Sequence, residues 1–277
     1  MRTKTFSDAL VRKSLARYFA IVEKEKPAKF QIAKKAAADF TEQEPLETLL
    51  TQHAWCTKEY YAFERQLDGG KKPVLTGSPK KSYLDLKIAI ASKMLEHCSF
   101  CSRRCGVNRL IDQLGYCGCG NNVAVSSIFA HTGEEPELVP SGTIFTMGCT
   151  IRCLHCQNWT ISQWQEAPVS YSPQELAREV ENLHMAGCHN INLVGGEPTP
   201  WLKHWLDTFR YVDVNIPVIW NSNSYYSPET AELLAGFADV YLLDFKYGPG
   251  NCAERLSDTL NYWQVATYNL LKAKQYS

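Results

Sequence analysis

The spacing of hydrophobic positions changes along the chain, and over about the first 66 residues it is helical. Apolar side chains recur there every three or four positions, as Val11, Leu15, Tyr18 and Val22 do. This spacing is typical of the buried face of an α-helix. We therefore predict a mainly helical N-terminal region. Its basic first residues are assigned to a structural helix, because they lack the apolar core and the cleavage site of a signal peptide.

Glycine, proline and lysine interrupt this pattern before the next predicted elements. The stretches Leu67–Pro73 and Thr76–Pro79 have the composition of a linker. A short helix is predicted from Leu84 to His97. A cysteine-rich block follows from Cys98 to Cys119, and we expect a polar connection from there to about Gly142.

From residue 143 onward, short apolar runs alternate with amphipathic stretches. The runs predict four strands, at Thr143–Thr146, Asn190–Val194, Pro217–Trp220 and Val240–Leu243. Helix signals lie between them, including Ser172 as an N-cap with the capping-box residue Glu175, and a second Ser-Pro-Glu start at Ser227. Successive strand–helix units imply parallel strands joined by right-handed crossovers. The predicted fold class is therefore α/β, a partial parallel (β/α) barrel that ends after four units and carries a helical N-terminal extension.

These elements divide the chain into a helical extension over residues 1–94, a cysteine-rich segment over 95–142 and the partial barrel over 143–277. The 29 basic and 29 acidic residues balance, so electrostatics gives no reason to expect nucleic acid or an acidic membrane as a partner. No apolar run approaches the roughly 20 residues of a membrane helix. Eleven cysteines, clustered in a chain without a secretory signal, favour metal ligation over disulfides and a cytoplasmic location.

Three cysteines follow the first predicted strand closely. Cys149, Cys153 and Cys156 stand in the pattern C-x3-C-x2-C. Three thiolates on one loop can bind three corners of a cubane iron–sulfur cluster, which usually takes four, so that one iron stays open. A zinc knuckle is the competing interpretation. Zinc prefers four closed ligands, however, and His155 lies too close to its neighbours to be an obvious fourth.

This motif, together with Gly195-Gly-Glu-Pro198 after the second strand, closely resembles the radical S-adenosylmethionine (SAM) superfamily. The similarity is greatest to the relatives of pyruvate formate-lyase activating enzyme. The longer run from Cys98 through Ser141–Phe145 to Cys156–Trp159 resembles a subgroup of those relatives that carries an extra N-terminal cysteine block.

The resemblance implies that the three cysteines hold a [4Fe–4S] cluster and that SAM chelates the open iron. It places His155 near the adenine, and it places Gly195, Gly196 and Glu197 at the methionine amino group. It also implies a lining of the SAM site by residues at the ends of the third and fourth strands, namely Asn221, Ser222, Asn223, Asp244 and Lys246. The competing interpretations are a simple turn for Gly-Gly-Glu-Pro and an ordinary ion pair for Asp244 and Lys246.

The same resemblance selects four thiols of the first block as ligands of an auxiliary site: Cys98, Cys101, Cys105 and Cys117. Four thiolates suffice for a second cluster or for one iron or zinc ion. Cys119 is left as a spare. A structural metal clip and an electron-transfer centre both remain open for this block.

The implied activity is reductive cleavage of SAM to a 5′-deoxyadenosyl radical, which abstracts a hydrogen atom from a substrate. If the nearest relatives are a guide, that substrate is a glycine Cα in a partner protein. The implied partners are SAM, a protein substrate and a reductant such as flavodoxin or ferredoxin. No catalytic residue is predicted beyond the cluster and SAM. A radical SAM enzyme with another substrate, and a non-catalytic iron–sulfur or zinc-binding electron carrier, are the competing hypotheses.

Overall fold

The computed structural model describes residues 9–70 and 79–277. The strands are β1 (Ala124–His131), β2 (Ser141–Thr146), β3 (Val169–Ser170), β4 (Asn190–Gly195), β5 (Val218–Ser222) and β6 (Val240–Leu243). The helices are α1 (Ala9–Ser14), α2 (Ala16–Val22), α3 (Lys29–Ala33), α4 (Leu46–Asp68), α5 (Tyr83–Glu96), α6 (Trp159–Ser162), α7 (Pro173–Met185), α8 (Leu202–Tyr211), α9 (Pro228–Leu234), α10 (Cys252–Ser257) and α11 (Tyr262–Tyr276). Two short 3-10 helices, Arg109–Ile111 and Thr199–Trp201, complete the set.

All six strands form one sheet in the order β3-β1-β2-β4-β5-β6. The strands β2, β4, β5 and β6 are the four predicted from the sequence, and they pair in parallel. Helices connect them, as parallel strands require. On the other side of β2, the strands β1 and β3 continue the sheet in antiparallel pairings. The predicted α/β class and the partial parallel barrel with a helical extension are confirmed.

Local sequence signals set the predicted helix starts. At α7, the Ser172 hydroxyl accepts a hydrogen bond from the Glu175 backbone N–H at 3.2 Å, and the Glu175 carboxylate accepts one from the Ser172 N–H at 2.8 Å. At α9, Ser227 accepts from the backbone N–H of Thr230 at 3.3 Å. Gly187 follows α7 with φ +90°, a backbone conformation that glycine adopts readily. Both predicted helix starts, at Ser172 and at Ser227, are confirmed.

The polar connection predicted after the first cysteine block is wrong for residues 124–131, which form β1. This strand pairs antiparallel with β2, with Phe129 opposite Thr143 and His131 opposite Ser141. A strand near a sheet edge keeps one face partly exposed and therefore needs no continuous apolar run. The polar pair Ser126 and Ser127 concealed it, because only pairing with β2 makes this segment a strand.

The N-terminal region is helical as predicted, although α1 and α2 are separate helices that meet at Leu15. Tyr18 of α2 is buried near the beginnings of β5 and β6, beside Leu138, Ile219 and Val240. Its hydroxyl accepts a hydrogen bond from Asn190 Nδ2 at 2.9 Å. The N-terminal extension thus forms the floor of the partial barrel.

One hydrophobic core joins the N-terminal helices, the first cysteine block and the sheet. Trp201, Trp205 and Trp220 are among its fully buried side chains. The division into three segments stays a prediction. The sheet itself crosses the boundary between the second and third segments, since β1 lies in the second and β4, β5 and β6 lie in the third. The predicted linker falls mostly on residues 71–78, outside the described residues, and α4 includes its first two residues. Within residues 9–70 and 79–277, no helix combines the length and the apolar character needed to cross a bilayer.

Candidate functional site

A cavity of about 560 Å³ opens at the carboxyl ends of the parallel strands. This end of parallel α/β sheets is where ligands usually bind. The cavity is lined by all twelve residues that the sequence assigned to the cluster and to SAM: Cys149, Cys153, Cys156, His155, Gly195, Gly196, Glu197, Asn221, Ser222, Asn223, Asp244 and Lys246. Four loops that are far apart in the chain therefore contribute to one site.

Cys149 is the most enclosed of the three cysteines at this cavity. Burial, together with the nearby charge of Glu197, raises the pKa of its thiol. The side-chain amide of Asn223 donates to the Cys149 sulfur at 3.5 Å and to Thr150 Oγ1 at 3.0 Å. Its carbonyl oxygen accepts from the Tyr225 backbone N–H at 2.8 Å, which fixes the orientation of the amide. Asn223 therefore presents an N–H to this sulfur, and such donors tune iron–sulfur clusters.

The other two sulfurs are half-exposed and also have hydroxyl neighbours. Ser257 donates to the Cys153 sulfur at 3.0 Å, and its own oxygen lies 2.5 Å from the hydroxyl of Tyr247. The Cys156 sulfur lies 3.6 Å from Ser162 Oγ. These neighbours were not predicted, because Ser257 is about a hundred residues from the cysteine it contacts and no motif marks it.

The loop that carries the three cysteines is attached to the first cysteine block through two arginines. Arg103 Nε donates to the Thr150 carbonyl at 2.6 Å, and Arg152 Nη2 donates to the Tyr116 carbonyl at 2.7 Å. The two guanidinium groups lie over the ring of Tyr116, at 3.3 and 4.5 Å from its centroid. Two positive charges therefore share one aromatic ring at the junction between this loop and the first cysteine block.

Gly195 and Gly196 let the end of β4 approach that loop closely. Gly195 has φ +125°, and a side chain on it would collide with the backbone of Thr146. A side chain on Gly196 would collide with the carbonyl of Gly148. The Gly196 N–H donates to the Thr146 carbonyl at 2.7 Å. Glycine is thus required here for backbone packing, in addition to the close approach of a ligand that the sequence suggested.

Glu197 is fully buried at the wall of the cavity. Its Oε1 accepts from the Thr199 hydroxyl at 2.5 Å, the Thr199 N–H at 3.2 Å and the Ser222 hydroxyl at 2.7 Å. Its Oε2 accepts from the Asn223 N–H at 2.9 Å. Burial raises the pKa of this carboxyl, and the hydrogen bonds oppose that shift. The carboxylate therefore orients the 221–223 loop, and Oε2 retains room for one more donor.

Asp244 and Lys246 form an ion pair of 2.6 Å at the end of β6. Burial alone would lower the pKa of Lys246, but the hydrogen bond and charge of Asp244 and the thiols of Cys153 and Cys149 together raise it. The Tyr262 hydroxyl accepts from the Lys246 backbone N–H at 3.1 Å. Both charged side chains line the cavity, so the ion pair and a ligand-binding role are compatible.

Two of the predicted residues at the cavity rim have fewer contacts. His155 is exposed, and its ring lies edge-on to that of Tyr247 with 6.2 Å between the centroids. Asn221 is half-buried at the end of β5 and faces the cavity. Both side chains are accessible to a ligand that enters from the mouth.

The first cysteine block packs directly against the loop that precedes Cys149. Of its five free thiols, only that of Cys105 is exposed. Burial raises the pKa of Cys101 to about 12, and the charges of the Cys117, Cys98 and Cys105 thiols add to the shift. Backbone hydrogen bonds from Gly106 N–H to the Cys98 carbonyl at 3.0 Å and from Arg104 N–H to the Cys101 carbonyl at 3.1 Å fold the segment that carries Cys98, Cys101 and Cys105 back on itself.

The remaining members of this block have structural contacts. Cys119 is fully buried, and its thiol lies 3.8 Å from the Met147 carbonyl. Arg109 is also fully buried, and it donates to the carbonyls of Gly120 at 2.7 Å and Pro200 at 2.6 Å. Arg109 thus joins the first block to the loop after β4, a role that sequence spacing could not indicate. Within the described part of the chain, no three His, Cys, Asp or Glu side chains converge to the spacing of ligands on a single ion.

Comparison with known proteins identifies the family. The profile of the Radical SAM superfamily matches residues 143–276. The Uncharacterized protein MJ0674 of Methanocaldococcus jannaschii is 40% identical over 266 residues, which cover 94% of this chain and 76% of that protein. This chain belongs to the radical SAM superfamily.

A second relative of this radical SAM protein is similar over a shorter stretch. The Uncharacterized protein MJ0808, also of Methanocaldococcus jannaschii, is 31% identical over 114 residues, or 39% of this chain and 33% of that protein. Membership of the superfamily implies a [4Fe–4S] cluster and SAM as cofactors. The cavity fits both groups, because three thiols with polar neighbours stand at one wall and a carboxylate with a vacant acceptor position stands at another. The thiols of a cubane bind different iron atoms and so stand farther apart than ligands of one ion.

Proposed function

We propose that this protein cleaves SAM reductively and uses the product radical to abstract a hydrogen atom from an organic substrate. The observation that supports this most strongly is the shared cavity, where three thiols meet the polar residues at the ends of β4, β5 and β6. In this proposal Cys149, Cys153 and Cys156 are the ligands of the [4Fe–4S] cluster. The protein is then an oxidoreductase whose remaining side chains bind and orient.

Held by Cys149, Cys153 and Cys156, a reduced [4Fe–4S] cluster would supply the one electron that cleaves SAM to methionine and a 5′-deoxyadenosyl radical, and this radical would take a hydrogen atom from the substrate. The electron comes from a one-electron reductant of the flavodoxin or ferredoxin class. The chain's residues hold the reactants in place and exclude water.

We assign the side chains at the cavity to parts of SAM. The vacant acceptor position on Glu197 Oε2 suits the methionine amino group, since a buried carboxylate favours a cationic donor. Asp244 and Lys246 complement further polar groups of SAM, and Asn221 with Ser222 borders them. His155, exposed at the rim, is placed at the adenine.

We also propose that Cys98, Cys101, Cys105 and Cys117 bind a second metal ion or cluster. Its position beside the Cys149 loop, joined through Arg103 and Arg152, suits either a rigid clip for that loop or a relay for electrons. All eleven cysteines lie in the described residues and none forms a disulfide, which suits the reducing cytoplasm. We therefore place the reaction in the cytoplasm.

The finer assignment as a glycyl-radical activase rests on motif similarity. In that version the hydrogen donor is a glycine Cα of a partner protein. The test is transfer of deuterium from a glycine-labelled partner into 5′-deoxyadenosine. Label that remains in the partner while SAM is cleaved would reject the activase version and leave the general reaction intact.

The general reaction is tested by anaerobic reconstitution with iron and sulfide, reduction, addition of SAM and chromatography of 5′-deoxyadenosine. We expect product from the wild type and from Cys252→Ala, an exposed thiol away from the cavity. We expect none from Cys153→Ala. Cleavage that survives in Cys153→Ala would contradict the assigned ligand set. A cluster that never cleaves SAM would favour the competing hypothesis of a non-catalytic electron carrier.

A further inference from the structure

The cavity continues from the SAM loops down the concave face of the sheet, where the proposed function assigns no residue. Strand register shows which side chains lie directly below the lining residues Phe145 and Val194. Thr143 pairs with Asn192, and Phe145 pairs with Val194, so all four side chains share one face. Asn192 lies three residues before Gly195, or about 10 Å farther down at the usual rise of a strand.

A carboxylate and an amide meet at this level. Glu134, from the loop after β1, lines the cavity with only 14% of its side chain exposed. Its Oε1 accepts a hydrogen bond from Asn192 Nδ2 at 3.0 Å and lies 3.4 Å from Nδ1 of His131. The His131 Nδ1 also lies 3.3 Å from the Gly133 backbone N–H, which donates to it.

The group formed by Glu134 and Asn192 has more hydrogen-bond acceptors than donors. Asn192 is fully buried, and its Oδ1 has no hydrogen-bond partner among the described residues. Glu134 Oε2 accepts no hydrogen bond within residues 9–70 and 79–277 either. A buried polar atom without a partner costs roughly 1–3 kcal/mol, so the Asn192 amide oxygen, next to a carboxylate with a vacant oxygen, indicates a missing donor. Lys246, the nearest lysine on the cavity wall, is already paired with Asp244.

The wall between this group and the SAM loops is apolar. Phe145 and Val194 line the cavity one layer above Thr143 and Asn192. Phe129 stacks on Phe145 with 5.4 Å between the ring centroids. A ligand held at the lower level must therefore pass an apolar surface to reach the reactive end of the cavity.

We propose that Glu134, Asn192 and His131 form the recognition site for a protonated amine, whose apolar stem extends along Phe145 and Val194 towards SAM. The cationic N–H donors satisfy the carboxylate and the unpartnered amide oxygen together. The stem carries the carbon that loses a hydrogen atom. This assignment of the reacting carbon rests on the proposed function, whereas the binding of the amine does not. The amine belongs either to a small molecule or to a lysine side chain of a peptide, since the two share this chemistry.

A purely structural role for Glu134, as an anchor of the 132–140 loop, would give a different result. Such an anchor needs its hydrogen bond from Asn192 but has no preference among ligands. Comparison of ligands that differ only in the polar end therefore separates the two roles.

The test is calorimetric titration of the reconstituted protein at neutral pH with n-hexylamine, 1-hexanol and hexanoate, and with N-acetyl-lysine amide as the second amine source. Glu134→Gln is the variant, and Glu135→Gln, an exposed neighbour in the same loop, is its matched control. We expect saturable binding of the amines, at least tenfold weaker binding of the alcohol and the acid, and at least a tenfold loss for amines in Glu134→Gln alone. Tighter binding of N-acetyl-lysine amide than of hexylamine would favour a peptide source, and the reverse a small molecule.

Equal affinity for amine and alcohol in the wild type would overturn the proposal, whether or not Glu134→Gln folds. Unchanged amine affinity in a folded Glu134→Gln would overturn it as well. The titration needs no reductant and no turnover. A failure of SAM cleavage therefore leaves this test valid, and a failure of amine binding leaves the proposed SAM chemistry untouched.

Discussion

Removal of the Tyr18 side chain should weaken the attachment of the N-terminal extension to the floor of the barrel. The Tyr18 hydroxyl accepts from Asn190 at 2.9 Å and donates to the Glu137 carbonyl at 3.4 Å. The first bond has good geometry and the second is marginal, and one net hydrogen bond contributes about 1 kcal/mol. We therefore expect Tyr18→Phe to lower the free energy of unfolding by about 1 kcal/mol.

Tyr18→Ala should cost more, because it also removes a buried ring from contact with Leu138, Ile219 and Val240. Truncation of a buried aromatic side chain to alanine typically costs about 3–5 kcal/mol. The assay is urea unfolding of the metal-free protein under reducing conditions, followed by circular dichroism. Tyr211→Phe is the matched control, since that side chain is 41% exposed, and we expect it to change stability by less than about 0.5 kcal/mol. Equal effects of the two Tyr→Phe variants, or a cost below about 2 kcal/mol for Tyr18→Ala, would refute the assignment of Tyr18 as a floor contact.

Two further predictions concern a glycine and a histidine. Gly196→Ala should displace the cysteine loop, because the new side chain overlaps Gly148, and we expect at least a tenfold loss of SAM affinity in equilibrium dialysis. The control is Gly248→Ala, whose new side chain meets no atom within 4 Å and which should bind SAM as the wild type does. Equal SAM affinities of the two variants would contradict the packing argument. Burial lowers the pKa of His204 to about 3. Between about pH 6.5 and 3 the unfolded state therefore binds one more proton than the folded state. The free energy of unfolding should fall by about 1.4 kcal/mol per pH unit as the pH decreases through this range. Urea unfolding from pH 7 to 5 should show this loss in the wild type but not in His204→Gln, and parallel pH dependences would rule out His204 as the titrating group.

Local signals made the parallel part of the fold predictable. Ser172 with Glu175, and Ser227 before its proline, mark helix starts within a few residues of chain, and the apolar runs before them are strands buried on both faces. The cavity followed, because the ends of parallel strands meet at one edge of a sheet. Because a candidate motif follows each of the four predicted parallel strands, the sequence alone predicts that these motifs form one site.

Contacts between distant segments were beyond prediction. Tyr18 meets Asn190 across 172 positions of chain, and Ser257 reaches Cys153 across 104. Each of these side chains is ordinary in its own neighbourhood, and only packing gives it a partner. Glu134 is the same kind of case, since nothing in its surrounding sequence separates it from the exposed Glu135.

We propose above that Cys149, Cys153 and Cys156 hold a [4Fe–4S] cluster with one iron open to SAM. Electron paramagnetic resonance of the dithionite-reduced protein tests it most directly. A Cys98→Ala, Cys101→Ala background removes two ligands of the first block, so that the signal reports the second block alone. We predict a reduced-cluster signal that changes shape when SAM is added and that is absent after the further change Cys153→Ala. A signal that does not change when SAM is added, or tight binding of zinc with no cluster at this loop, would contradict this ligand assignment.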